Sequence, residues 1–208
     1  MQDNKNGRGT GRFADRESGN YLSGIIEGSN SDNGPDTTIN TPSHQKSLED
    51  LFSHALKVIY YAEDSLHHKL PTMIDLAKDQ ELKAALTMHC VENATHIAIL
   101  QQIARFFGMA LMGKKSEAIE GLVSEGDEML KVFASSEAGD AAIISSCQAI
   151  EHYEIAKYGS MHSWAVAMGV TQVARLLSSI LEQKKAANSR LAELAEQRIN
   201  RAAEFFPA

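Results

Sequence analysis

The segment Ile150-Glu151-His152-Tyr153-Glu154-Ile155-Ala156-Lys157-Tyr158-Gly159 limits the fold more than any other stretch of the chain. Glu151 and Glu154 stand three residues apart, so in an α-helix they share a face. That face also carries Ile143, Cys147, Ile150, Tyr158 and Met161. A carboxylate on the apolar stripe of a helix must be protonated, paired or bound to a cation, because a bare buried charge is costly. Neighbouring helices must then bring a positive species to the same depth. A helical bundle with a polar centre meets that demand.

The chain around this segment supports such a bundle. From residue 47 onward Ala, Leu, Ile, Glu and Lys dominate, which is helix-forming composition. Residues 1–46 differ: Gly, Asn, Asp, Ser and Thr are frequent and no periodicity is sustained, so they read as a disordered N-terminal tail. The bundle is expected over 47–203, with 204–208 as a short C-terminal tail.

Within 47–203 the apolar repeat predicts four long helices. The first covers 47–78, with Leu48, Phe52, Ala55, Ile59, Glu63, Leu66 and Leu70 on its stripe, and Pro71 is expected to kink it. The second covers 80–107, opened by Asp79 as N-cap and stopped by Gly108; its stripe reads Leu82, Leu86, His89, Glu92, His96, Leu100 and Ile103. The third covers 140–168 and ends at Gly169. The fourth covers 171–203, with Leu177, Leu181, Lys184, Asn188, Leu191 and Ala195 facing inward. Between the second and third, residues 109–138 form a crossover holding a short helix at 116–133. Two antiparallel pairs joined by a long crossover give an all-α, ferritin-like antiparallel four-helix bundle.

Composition excludes several function classes. A net charge of −7 argues against phosphate-neutralising contacts with nucleic acid. No apolar run reaches the length of a membrane span, and the N-terminus lacks the apolar core of a signal peptide. Two cysteines, Cys90 and Cys147, make no disulfide framework and suit a reducing compartment, so a cytoplasmic location is expected.

The remaining polar residues gather on the inward stripes. Glu63, Glu92, Glu151 and Glu154 lie mid-length on three helices, with His67 one turn beyond Glu63 and His96 one turn beyond Glu92. Carboxylate and imidazole together suit Fe or Mn, and also Zn. Di-iron and di-manganese bundles draw one Glu from each of two helices and Glu-x-x-His from each of the other two. Here the match is partial, with Glu92-x-x-x-His96 and Glu151-x-x-Glu154. The fourth helix offers Lys184 and Asn188 at the equivalent places.

Two readings of the centre follow. In one, Glu63, Glu92, His96, Glu151 and Glu154 hold one or two metal ions, which would support oxidase or peroxide-consuming chemistry. In the other, the Lys184 ammonium takes the place of the metal, with His96 and Asn188 completing its hydrogen bonds, and the bundle is a non-catalytic scaffold. Tyr158 is placed to hydrogen-bond a carboxylate of the centre. Tyr60 and Tyr61 are expected to pack in the core, and His67, His68 and His152 to face outward.

The chain resembles the YciE/YciF-type ferritin-like proteins, bacterial stress-associated proteins, over about residues 47–196. The segments that carry the likeness are Leu48-Glu49-Asp50-Leu51-Phe52, Tyr61-Ala62-Glu63, Glu81-Leu82-Lys83-Ala84-Ala85-Leu86 and Gly113-Lys114-Lys115. They continue with Glu117-Ala118-Ile119-Glu120-Gly121-Leu122, Asp140-Ala141-Ala142-Ile143-Ile144, Glu151-His152-Tyr153-Glu154-Ile155-Ala156 and Tyr158-Gly159. The resemblance implies a homodimer and a carboxylate di-metal centre at Glu63, Glu92, Glu151 and Glu154. The fourth helix departs from the family pattern of glutamates, then Lys, then Asp. It reads Glu182-Gln183-Lys184-Lys185-Ala186-Ala187-Asn188, with Lys184 for a glutamate and Asn188 for the Asp. Val91 also replaces a common family Glu.

Overall fold

A computed structural model of the chain describes residues 46–204. The expected tails, 1–46 and 204–208, lie outside them apart from Lys46 and Glu204. Among the described residues five helices of three turns or more occur: α1 (Leu48–Leu76), α2 (Gln80–Phe106), α3 (Glu117–Phe133), α4 (Gly139–Ala167) and α5 (Thr171–Leu194). A π-helical turn at Ala195–Ile199 leads into a last short turn, α6 (Asn200–Ala202). Among the described residues there is no strand.

The helix starts follow from their caps. The Ser47 hydroxyl accepts the Asp50 backbone N–H while the Asp50 carboxylate accepts the Ser47 N–H, a reciprocal capping box. Asp79 caps α2 by accepting the N–H groups of Glu81 and Leu82. Gly108 and Gly169 take positive φ values of 60° and 72°, the left-handed turn that ends α2 and α4. Pro71 does not break α1, which runs on to Leu76. Its ring faces solvent, and the N–H it lacks would have bonded only the His67 carbonyl, so the helix tolerates it.

Packing sets the four long helices in a ring. α1 lies against α2 and α4, and α5 lies against α4 and α2, while α3 covers α4. Residues 77–79 and 168–170 are too short for anything but antiparallel hairpins. The crossover is pinned at both ends. The Lys114 N–H donates to the Lys57 carbonyl at 2.9 Å, and the Tyr61 hydroxyl donates to Glu120 of α3. At the far end Asp140, at the start of α4, accepts the N–H groups of Lys78 and Asp79 at 2.8 Å each. One carboxylate thus ties the α1–α2 turn to the second hairpin.

Along α1, α2 and α5 the main buried positions advance by four and three in turn. On α1 they are Phe52, Leu56, Ile59, Glu63, Leu66, Leu70 and Met73; on α2, Leu82, Leu86, His89, Asn93, His96, Leu100 and Ile103. α5 contributes Val173, Leu177, Ile180, Lys184, Ala187 and Leu191. Each stripe is apolar at its ends and polar at its middle. The core is therefore two hydrophobic blocks separated by one polar layer.

Four inward positions differ from the expected stripes. Leu56 takes the place expected of Ala55, Asn93 that of Glu92, Ile180 that of Leu181, and Ala187 that of Asn188. One residue is about 100° of helix rotation, so each substitute faces the core and the expected residue sits on its shoulder. The fourth helix also departs from a plain α-helix at 195–199. The wider π turn keeps Ala195 and Ile199 buried one after the other.

A candidate carboxylate–ammonium centre

The polar layer holds Glu63 from α1, His89, Asn93 and His96 from α2, Glu151 and Glu154 from α4, and Lys184 from α5. All are buried, and Glu63, Glu151, Glu154 and Lys184 expose none of their surface. The Lys184 Nζ donates to Glu154 Oε2 at 2.6 Å, to Glu63 Oε2 at 3.2 Å and to Glu151 Oε1 at 3.3 Å. An ammonium has three N–H donors, and each has a carboxylate from a different position.

The carboxylates have further partners. The Tyr158 hydroxyl donates to Glu63 Oε1 at 2.6 Å. The Asn93 amide donates to Glu63 Oε2 at 2.6 Å and to the Glu63 carbonyl at 3.0 Å, and the Asn93 carbonyl oxygen meets His67 Nδ1 at 2.8 Å. His96 Nδ1 lies 3.4 Å from Glu63 Oε1, with Nε2 2.8 Å from Gln183 Oε1. His89 Nε2 lies 2.7 Å from Glu151 Oε1. Glu151 Oε2 and Glu154 Oε1 have no hydrogen-bond partner among the described residues.

This arrangement sorts the acids by charge state. Burial pushes the Glu63 carboxyl up, but Lys184, His96 and the Tyr158 hydroxyl outweigh it and hold it down at about 2. Burial opposes ionisation of Glu151 too, and again Lys184 and His89 prevail, so it is lowered. Glu154 goes the other way: burial first, then the neighbouring Glu63 and Glu151 charges, raise it well above the ordinary carboxylate range despite its Lys184 contact. Burial disfavours the ammonium, but three carboxylates reverse that and raise its pKa. The centre therefore holds Glu63 and Glu151 below the ordinary carboxylate range and Glu154 above it, around an ammonium that its neighbours favour.

The residues expected to form a metal site fare differently. Glu63, Glu151, Glu154 and His96 converge. Glu92 does not: it is half-buried and pairs with Arg190 at 3.2 Å. Asn188 is likewise half-buried and stays outside the layer, its backbone carbonyl meeting Gln148 at 3.5 Å. The Lys184 hydrogen bonds are completed by carboxylates, and His96 acts on Glu63 instead. His67, expected outward, is half-buried and supports Asn93; His68 and His152 are exposed as expected. Tyr61 is half-buried and reaches Glu120, not the centre. Sequence reasoning missed Asn93 and Gln183; the run Leu82–Leu86–His89, continued by four and then three, points to Asn93 and His96.

A divalent ion bound by these carboxylates would need to stand about 2.0–2.2 Å from their oxygens. That is the space the Lys184 ammonium fills, and a second positive charge there would be repelled. Among the described residues no three His, Cys, Asp or Glu side chains are grouped to hold a metal. With Lys184 in place the donor set suits an ammonium and does not fit a metal pair.

Known proteins place the chain in context. Residues 47–204 match the family model described as a domain of unknown function, DUF892. Protein YciF of Escherichia coli strain K12 is 33% identical over 162 residues, spanning 77% of this chain and 98% of that protein. The crystal structure of the Escherichia coli stress protein YciF aligns with a TM-score of 0.71 at 32% identity, covering 75% of this chain and 99% of that one. The structure of YcfI from Rhodopseudomonas palustris aligns with a TM-score of 0.69 at 38% identity, covering 73% and 96%. None of the described helices is long and apolar enough to cross a membrane.

Proposed function

This chain belongs to the DUF892 family, and we propose that it is a stress-associated helical scaffold whose carboxylate centre is closed by its own lysine rather than by Fe, Mn or Zn. One observation carries the reading: the Lys184 Nζ stands within 3.3 Å of Glu63, Glu151 and Glu154. A metal-dependent oxidase needs an open coordination position facing a substrate. Here the corresponding volume is filled by a side chain that is itself fully buried. The association with stress rests on the likeness to the Escherichia coli stress protein YciF. The working unit in this reading is a homodimer, as the family resemblance implies, in the reducing cytoplasm that its cysteine usage suits, and it acts through its surface.

The test is elemental analysis of protein purified without chelators, beside a Lys184→Glu variant. The parent is expected to carry no stoichiometric Fe, Mn or Zn. The variant exchanges the ammonium for a fourth carboxylate beside His89 and His96, so it is expected to gain metal affinity and to be stabilised by added Mn. Tight binding of any of these metals by the parent would overturn the proposal.

A further inference from the structure

The middle of α2 is inverted. Its inward side is polar, at His89, Asn93 and His96. Its outward side is apolar, with Met88 43% and Val91 66% exposed. Every other exposed large hydrophobic side chain among the described residues lies in a connection or within one turn of a helix end. From Ala84 to Ala104 the sole Asp, Glu, Lys or Arg is Glu92, and Arg190 of α5 pairs with it. In a chain that is 23% charged, so long an uncharged face, apolar at its centre, calls for a cover that the bundle does not supply.

The order of residues along this face names the cover. A two-fold axis through Val91 sets α2 antiparallel to α2 of a second copy, and Val91 meets itself. Ala84 then stands level with Ala98 of the second copy, Thr87 with Thr95, and Met88 with Ala94. Small side chains face small ones, a hydroxyl faces a hydroxyl, and the long Met88 faces a methyl group. At both ends Gln80 stands level with Gln102, amide against amide, which gives the contact a polar rim. All of these residues are exposed in the single chain. The match buries no unpaired charge, and its alanines let the two helices approach to about 8–10 Å. An unrelated partner would have no cause to match an order that reads alike in both directions.

We propose that the outer face of α2 is a self-association surface that seats α2 of a second copy antiparallel across Val91. The inference goes beyond the scaffold reading, which names a homodimer but no face, and it holds whichever cation closes the centre. It concerns this chain in particular, because Val91 stands where the family pattern has Glu. A carboxylate there would meet its own copy on the axis, and Val91 removes that repulsion.

The experiment is sedimentation equilibrium of the full chain beside Val91→Glu, which sets two like charges against each other on the axis. The parent is expected to have twice the mass of the variant, whose association should weaken roughly 100-fold. Ser160→Glu places the same charge on the exposed side of α4 and is expected to keep the parent's mass. A second measurement avoids the added charge. Val91→Cys in a Cys90→Ser background is expected to cross-link to its own copy under mild oxidation, because only a residue on the axis comes within disulfide reach of itself. Ser160→Cys in the same background is expected to stay reduced. Equal masses for the parent and Val91→Glu, or no cross-link at Val91→Cys, would overturn the proposal. Equal masses of two chains would leave the homodimer standing on another face, whereas equal masses of one chain would end both readings. Neither result bears on the metal content predicted above.

Discussion

Ion pairs of nearly the same length hold the middle of the bundle and its end, yet they do different work. At the middle, Lys184 meets three carboxylates at 2.6–3.3 Å, and all four side chains are fully buried. At the end, Arg198 meets Asp79 at 2.7 Å and Glu81 at 3.0 Å, with the arginine 44% and Glu81 68% exposed. Distance does not separate them; solvent does. In a dry interior each ion has lost a hydration worth several kcal/mol, so its partner becomes obligatory. At the surface, water replaces a lost partner at little cost. The middle pair set therefore specifies which faces meet, whereas the end pairs fasten helices that already meet.

The strongest way to break this contrast is Lys184→Met. The change leaves Glu63, Glu151 and Glu154 together in the core without their cation, and the expected loss is about 3–5 kcal/mol in urea unfolding. A variant in which the three acids and Lys184 are all replaced by apolar residues of similar volume should regain most of that loss, since no stranded charge remains. Should Lys184→Met cost no more than an exposed pair, the middle layer is wetter than its burial indicates.

Both regions were unequally legible in the sequence, for physical reasons. The middle was announced by charges on apolar stripes: Glu63, Glu151, Glu154 and Lys184 sit where leucines should, and all four converge. The helix ends were equally plain, because Asp79, Gly108 and Gly169 act on their own neighbours. What failed was phase. Glu92 and Asn93 differ by about 100° of rotation, and a metal-ligand expectation favoured the acid where the four-three alternation favoured the amide. Asn188 and Ala187 repeat the case. The bundle end was hardly readable at all. The π turn at Ala195–Ile199 contains neither Pro nor Gly. It accompanies tertiary contacts, the burial of Ile199 and the reach of Arg198 to α2, that no local pattern encodes.

Acid offers the next sharpening. Glu63 falls from an ordinary 4.5 to about 2 on folding. Its contribution is fully present above the unfolded value and is lost as the pH drops from 4.5 toward 2. Glu151 is shifted in the same direction. Glu154, raised on folding, works oppositely: its contribution is present below the ordinary carboxylate value and is lost as pH rises through its folded one. Below pH 4.5 the Glu154 contribution is already complete, so Glu63 and Glu151 alone set a net loss of stability there. The effect should be smaller than that of Lys184→Met, because protonation neutralises each acid where it stands. Urea midpoints measured across this range should fall steeply for the parent and more shallowly for Glu63→Gln. Parallel curves would mean that Glu63 is not held down by its neighbours.

The smallest effect belongs to Arg198→Ala. The substitution removes both end pairs at once, yet Asp79 keeps its capping bonds to the N–H groups of Glu81 and Leu82, so α2 loses none of its start. Water can solvate the freed carboxylates, and the expected loss is about 0.2–1 kcal/mol. It should shrink further at about 1 M salt, where screening acts over roughly 3 Å, while the Lys184→Met loss should hardly respond to salt. That difference in salt response is the sharper measurement, because it separates the two regions even if their energies differ by less than expected. An Arg198→Ala loss that matches Lys184→Met and ignores salt would mean the π turn depends on Arg198, and the end of the bundle would then be as specifying as its centre.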